Sequence, residues 1–164
     1  MSKRVGFTMR GLDEWQRGLL AADKGGVERM KDRILRTAGL RTLEILQDST
    51  PVKTGRLRAS MSMGHADNIF EMQVGKKSYV LVGTAVAYAA AVNDGYKQKA
   101  GRFVPGYWKG DTFVYEPGSK TGMVLTGKVI EGARMFEAAM QGIQEDMPDI
   151  VEFEFRRLYR ELFG

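Results

Sequence analysis

The stretch Thr50-Pro51-Val52-Lys53-Thr54-Gly55-Arg56-Leu57-Arg58-Ala59-Ser60 divides the chain into two differently built parts. Pro51 cannot continue a hydrogen-bonded helical turn and biases Thr50 toward extended backbone, so a helix must end here. Gly55 permits a tight backbone. Thr54 has the residue type of an N-cap for a short helical turn that carries Leu57 and Met61.

Upstream, Val27, Met30, Ile34, Ala38, Thr42 and Ile45 recur at three- and four-residue spacing, which predicts a helix from about Val27 to Gln47 with that stripe on the core. Arg29, Arg33, Arg36 and Arg41 lie off the stripe and are expected in solvent or against a partner. Before it, Lys24-Gly25-Gly26 breaks a first helix that opens at Gly11-Leu12-Asp13-Glu14 and runs to about Ala22. Alternation of Val5, Phe7 and Met9 predicts a strand over Lys3–Met9.

Downstream, Ile69–Val74 and Tyr79–Gly83 read as strands joined by the loop Gly75-Lys76-Lys77-Ser78. Thr84–Asn93 is small and Ala-rich, which fits a short helix close to a sheet. From Gly95 to Gly122, glycines mix with Tyr96, Phe103, Tyr107, Trp108, Phe113 and Tyr115, and with Lys97, Lys99, Arg102, Lys109 and Lys120, without clear periodicity. The segment is expected to be a long functional loop, with a hairpin possible at Thr112–Tyr115. Two helices are expected after it, Val129–Ile143 and Pro148–Phe163. The second presents Val151, Phe155, Leu158, Tyr159 and Leu162 as its apolar stripe. The sum is an α+β fold: a small antiparallel sheet, a long helix in the N-terminal half, C-terminal helices and a loop insertion at 95–122, in a single domain over 1–164.

Composition sets the outer limits. The 164 residues suffice for one core, 43% are hydrophobic and there is no cysteine, so disulfides and thiolate metal sites are excluded. The apolar runs are too short for a bilayer span, and the N-terminus lacks an apolar leader core, so a protein made and used in the cytoplasm, or assembled there into something larger, is the expectation. The net charge of +5 is unevenly spread: residues 1–60 hold 13 Lys/Arg against 7 Asp/Glu, and residues 128–164 hold 5 against 8. That asymmetry fits unrelated solvated faces, a basic face meeting a neighbour's acidic face, or a basic face on nucleic acid.

A search for chemistry finds little. Gly122-Met123-Val124-Leu125-Thr126-Gly127-Lys128 has the outline of a phosphate-binding loop, but Val129 stands where Ser or Thr must hold magnesium, and no buried strand leads into it. His65 is the sole histidine, and no serine has a nucleophile-elbow setting. The expectation is no enzyme, cofactor or metal. The basic, aromatic 95–122 segment suits a subunit interface, with single-stranded nucleic acid as the alternative.

The Thr50–Ser60 string resembles the "A-P-V-D-T-G-x-L-R-x-S" signature of the tail-component family of long-tailed phages, also called type-one neck proteins. Three neighbours match in order. Gly11-Leu12-Asp13-Glu14-Trp15 is similar to the family's "G-L-D-E-L" helix start. Val82-Gly83-Thr84-Ala85-Val86-Ala87-Tyr88-Ala89-Ala90-Ala91-Val92-Asn93-Asp94-Gly95 is similar to "V-G-T-x-x-x-Y-A-x-x-V-x-x-G". Arg134-Met135-Phe136-Glu137-Ala138-Ala139 is similar to "R-P-F-x-x-x-A". Lys53 departs from the usual acid and Met135 from the usual proline, and the 95–122 segment is long for the family.

The resemblance implies a structural virion protein. It would form a homo-oligomeric ring, hexameric or twelve-fold, in the neck around the packaged DNA. Its partners would be head-completion or portal-side proteins on one side and tail terminator or tail tube proteins on the other, with no membrane. A tail terminator subunit, or a nucleic-acid-binding protein using the basic N-terminal half, is the alternative. The residues expected at assembly contacts are Lys53, Arg56, Arg58, Lys97, Lys99, Arg102, Phe103, Tyr107, Trp108, Phe113 and Tyr115.

Overall fold

The computed structural model describes the backbone of residues 12–164 and the side chains from Gln16 onward, so the strand expected over Lys3–Met9 lies outside the described residues. Helix α1 (Leu12–Ala21) meets α2 (Val27–Ser49) at a joint over Ala22–Gly26, where Gly25 adopts φ 109° and ends the first helix as its sequence predicts. A short α3 (Arg56–Ser60) follows. Then come β1 (Asn68–Gln73) and β2 (Tyr79–Thr84), an antiparallel pair in register from Asn68↔Thr84 to Gln73↔Tyr79. The chain continues through α4 (Ala89–Asp94), β3 (Gly95–Lys97), β4 (Phe103–Lys109), β5 (Thr112–Tyr115), β6 (Gly122–Val124) and β7 (Val129–Glu131), and ends in α5 (Met135–Phe163). The fold is α+β.

The backbone of the molecule is the antiparallel pairing of α2 with α5. Ion pairs set its register: Arg33 Nε to Glu154 Oε2 at 2.5 Å, and, eight residues further along each helix in opposite directions, Arg41 Nε to Asp146 Oδ2 at 2.7 Å. Close packing continues the same register, because a Cβ at Gly142 would come within 2.8 Å of Ile45. The core beside this pair consists of Leu43, Leu46, Leu57, Met61, Val86, Ala89, Met135 and Ala139. The β1–β2 hairpin covers α2 through Gly39, where a Cβ would meet the Phe70 ring at 2.7 Å and Val80 at 2.8 Å. A mid-helix glycine costs roughly 1 kcal/mol in propensity; here it sets the spacing between helix and sheet.

Four expectations about the helices change. Val129–Ile143 and Pro148–Phe163 are not two helices: Val129–Glu131 is a strand, and a single helix runs through Pro148. The pairing with α2 on both sides of that proline, at Asp146 and Glu154, holds the helix together across the missing N–H. The C-terminal stripe is only partly internal. Leu158 is buried and Leu162 half-buried, but Val151, Phe155 and Tyr159 are 41%, 60% and 58% exposed, and Glu154 occupies the inner face instead. Arg33 and Arg41 do not wait for another subunit, because α5 of the same chain takes them. Finally, Gly55 caps α3 with φ 79° and no side-chain hydrogen bond, so Thr54 is not the N-cap.

The long loop expected over Gly95–Gly122 is a β-ribbon. Its stem is β3 against β7, with Gly95 opposite Glu131. Hydrogen bonds from Gln98 N to Lys128 O and from Gly101 N to Leu125 O carry the ladder into β4 and β6. The hairpin at Thr112–Tyr115 forms, joined to β4 by the two-residue turn Gly110-Asp111 with Gly110 at φ 61°. The order β5-β4-β6 makes a three-stranded sheet whose principal contacts are within itself.

Candidate assembly surfaces

The Thr50–Ser60 corner is fixed from inside. Thr50 is buried, and its hydroxyl donates to Leu46 O at the end of α2 and lies 3.3 Å from Met135 Sδ on α5. Ser60, also buried, donates to Leu57 O and shares a 2.7 Å hydrogen bond with Thr84 Oγ1 of β2. Arg58 Nε donates to Gln47 O at 2.8 Å, joining Thr50 N on a carbonyl at the C-terminus of α2, where positive charge is favoured. Arg56 stays exposed and lies 3.5 Å from Asp67. Lys53 is exposed and makes no ion pair among the described residues. The corner and α4 together line an open groove of about 550 Å³, with Val52, Leu57, Tyr88 and Val92 as apolar walls and Lys53 and Arg56 as its cations. Two motifs separated in sequence, Thr50–Ser60 and Val82–Gly95, therefore meet at one surface.

A second knot ties α4, the ribbon stem and the start of α5. Buried Asn93 accepts from Phe136 N at 2.9 Å and donates to Glu137 Oε2 at 3.0 Å, so a residue outside the helix caps α5. Gly95 (φ 77°) and Gly132 cross so closely that a Cβ on either would fall 2.1–2.3 Å from backbone oxygen. Arg134 Nη1 donates to Glu137 Oε1 at 2.9 Å. That hydrogen bond, then the backbone and Asn93, hold the Glu137 carboxyl below its ordinary value.

The ribbon carries the expected aromatic and basic residues outward. Cross-strand partners share a face, so Trp108, Phe113 and Tyr115 lie on one side of the sheet and Phe103 and Tyr107 on the other. Trp108 and Phe113 pack edge to face at 5.4 Å. Phe113 is half-buried, and the other four aromatics are exposed by half or more of their surface or close to it. Lys97, Lys99 and Arg102 are exposed at the stem. The structure thus gathers the ribbon residues on one projection but leaves Lys53, Arg56 and Arg58 at a separate corner.

Sequence reasoning missed the outer flank of α5. There Val151, Phe155 and Tyr159 form an exposed apolar stripe beside Phe153, and Tyr159 packs on Phe163 at 5.0 Å. The stripe was visible in the sequence; its exposure was not. Residues 135–155 carry six acids and no base.

The two enzyme-like readings find no support. Gly127-Lys128 is followed by a strand, not by the helix whose N-terminus would bind phosphate. His65 Nδ1 accepts from Asp67 N at 3.1 Å, a turn contact. No group of three metal-binding side chains occurs among the described residues.

Residues 14–95, from the α1 start through the corner to the stem glycine, match the profile of the family described as "Bacteriophage HK97-gp10, putative tail-component". The chain belongs to the HK97-gp10-like family of phage tail components. Two relatives come from Bacillus subtilis (strain 168). The phage-like element PBSX protein XkdI is 33% identical over 93% of this chain and 98% of its own length. The uncharacterized protein YqbI is 38% identical over 80% of this chain and 85% of its own length. No solved structure matches the chain. Membership of the HK97-gp10-like family makes the chain a structural tail or neck protein of a phage virion. The family profile ends at Gly95, the residue at which the ribbon begins.

Proposed function

We propose that the chain is a ring-forming subunit of the head-to-tail neck, one assembling unit over 1–164 whose 95–131 ribbon is its projecting arm. It has no catalytic role. The carrying observation is the ribbon: a sheet that spends its hydrogen bonds internally yet leaves Phe103, Tyr107, Trp108 and Tyr115 in solvent fits a surface awaiting another protein. Family membership supports the virion location, and the XkdI relative belongs to a phage-like element. In this reading the ring surrounds the DNA passage, with head-completion or portal-side proteins on one side and tail terminator or tail tube proteins on the other. Assembly takes place in the host cytoplasm.

Removing the gene from a producing phage and imaging the products by negative-stain electron microscopy tests the role. Filled heads and complete tails that fail to join are the expected outcome. Normal particles would refute a neck role. Tails of uncontrolled length would instead favour a tail terminator.

A further inference from the structure

We propose that the groove of the Thr50–Ser60 corner receives an acidic peptide segment carrying a large apolar side chain, presented by a neighbouring virion protein. The proposal rests on the neck reading and names the chemistry of one of its partners. It starts from the side chains that the fold does not use. Along the corner, Pro51 follows the end of α2, Gly55 caps α3, and Thr50, Leu57 and Ser60 are buried. Arg58 is held by Gln47 O. Val52, Lys53 and Arg56 are left over. At α4, Ala89 enters the core and Asn93 caps α5, which leaves Tyr88 at the helix start. All four leftover side chains line the same groove.

Their chemistry defines the occupant. Val52 and Tyr88 are 58% and 41% exposed, and Leu57 and Val92 complete the apolar wall. Lys53 makes no ion pair among the described residues. Arg56 reaches Asp67 only at 3.5 Å, and its side chain stays 64% exposed. Among the described residues, no acid lines the groove. An apolar wall with cations and no counter-charge fits a carboxylate beside an apolar anchor. A nucleic-acid strand fits it poorly, because such a site draws its affinity from many phosphate contacts. The groove, of about 550 Å³, is open to solvent, which suits an extended segment more than an enclosed small molecule. It is also formed in advance. Gly55 sits at φ 79°, and the buried hydroxyls of Thr50 and Ser60 tie the two ends of the corner to α2 and β2. Binding therefore costs little ordering of the protein.

The test pans the full-length protein against a random peptide library and measures the enriched peptides, made synthetically, by fluorescence anisotropy. Wild type is compared with two variants, Lys53→Glu with Arg56→Glu and Val52→Ser with Tyr88→Ser. All four positions are exposed, and circular dichroism checks that each variant folds. Enriched peptides should pair an Asp or Glu with a nearby large apolar residue. Each variant should weaken their binding about tenfold or more, and salt should weaken binding to the wild type. Lys in place of the peptide's acid should restore binding to the charge-reversed protein. If that protein misfolds, Lys53→Ala alone replaces it and should also weaken binding.

Enrichment of peptides without acids, equal binding to wild type and variants, or no enrichment overturns the proposal. So does a wild type that self-associates in sedimentation velocity, without peptide, when the same variants abolish that association: the occupant is then a second copy. These outcomes leave the neck reading standing, because the gene-removal experiment tests it separately.

Discussion

Two single residues show how this fold treats charge. Glu154 is buried against Arg33, with Arg157 3.9 Å away, and Arg33 Nη2 is buried without a partner. A buried pair of this kind fixes geometry more than it stabilises, and removing one member strands the other. Glu154→Ala should therefore cost about 3–5 kcal/mol, while the double change Arg33→Met with Glu154→Leu should cost little or raise stability. Urea denaturation of the two variants beside the wild type checks this, and an equally large loss in the double variant would show that the pair is net stabilising. Glu137 is exposed and acts through pH. Its folded-state pKa lies below the ordinary 4.5, so its contribution is complete above that value and is lost as pH falls through the depressed one. Thermal midpoints measured between about pH 3 and 6 should fall on acidification, and the fall should be shallower in Glu137→Gln.

At the scale of elements, Pro148 sits inside a continuous α5 and deprives the helix of one backbone hydrogen bond. Its side chain is exposed, so Pro148→Ala should raise the thermal midpoint by the equivalent of about 1–3 kcal/mol. A lowered midpoint would mean that α5 needs the proline to follow α2. Helices α1 and α2, the β1–β2 hairpin and the α4 turn were legible in the sequence because each buries one face and so leaves a period in the residues. The arm was legible only at its Thr112–Tyr115 hairpin. Neither of its faces is buried, so Phe103 to Tyr115 shows aromatics on both sides of the sheet and no alternation to read. Pro148 misled for a related reason: local rules mark it as a helix start, and only the ion pairs at Asp146 and Glu154, distant in sequence, show that the helix runs through. The Val151–Tyr159 stripe was correctly seen as apolar, but periodicity does not say whether a covering partner belongs to the same chain. The corner residues expected at assembly contacts divide in the same way. Arg58 is engaged by Gln47 O, whereas Lys53 remains open to a partner.

For the whole molecule, the accessible surface is 12441 Å² for an 18.3 kDa chain. A compact monomer of that mass exposes about 8,100 Å². The excess reflects an extended build, with an arm whose sheet packs mainly within itself. Large exposed side chains concentrate on the arm and on the α5 flank, with the groove of the Thr50–Ser60 corner as a third opening. The most direct measurement is electron microscopy of intact particles in which this chain carries a gold-labelled tag at its N-terminus. The label should appear at a single position, the junction of head and tail, in every particle. Label along the tail, over the head shell, or only in unassembled protein would contradict the account.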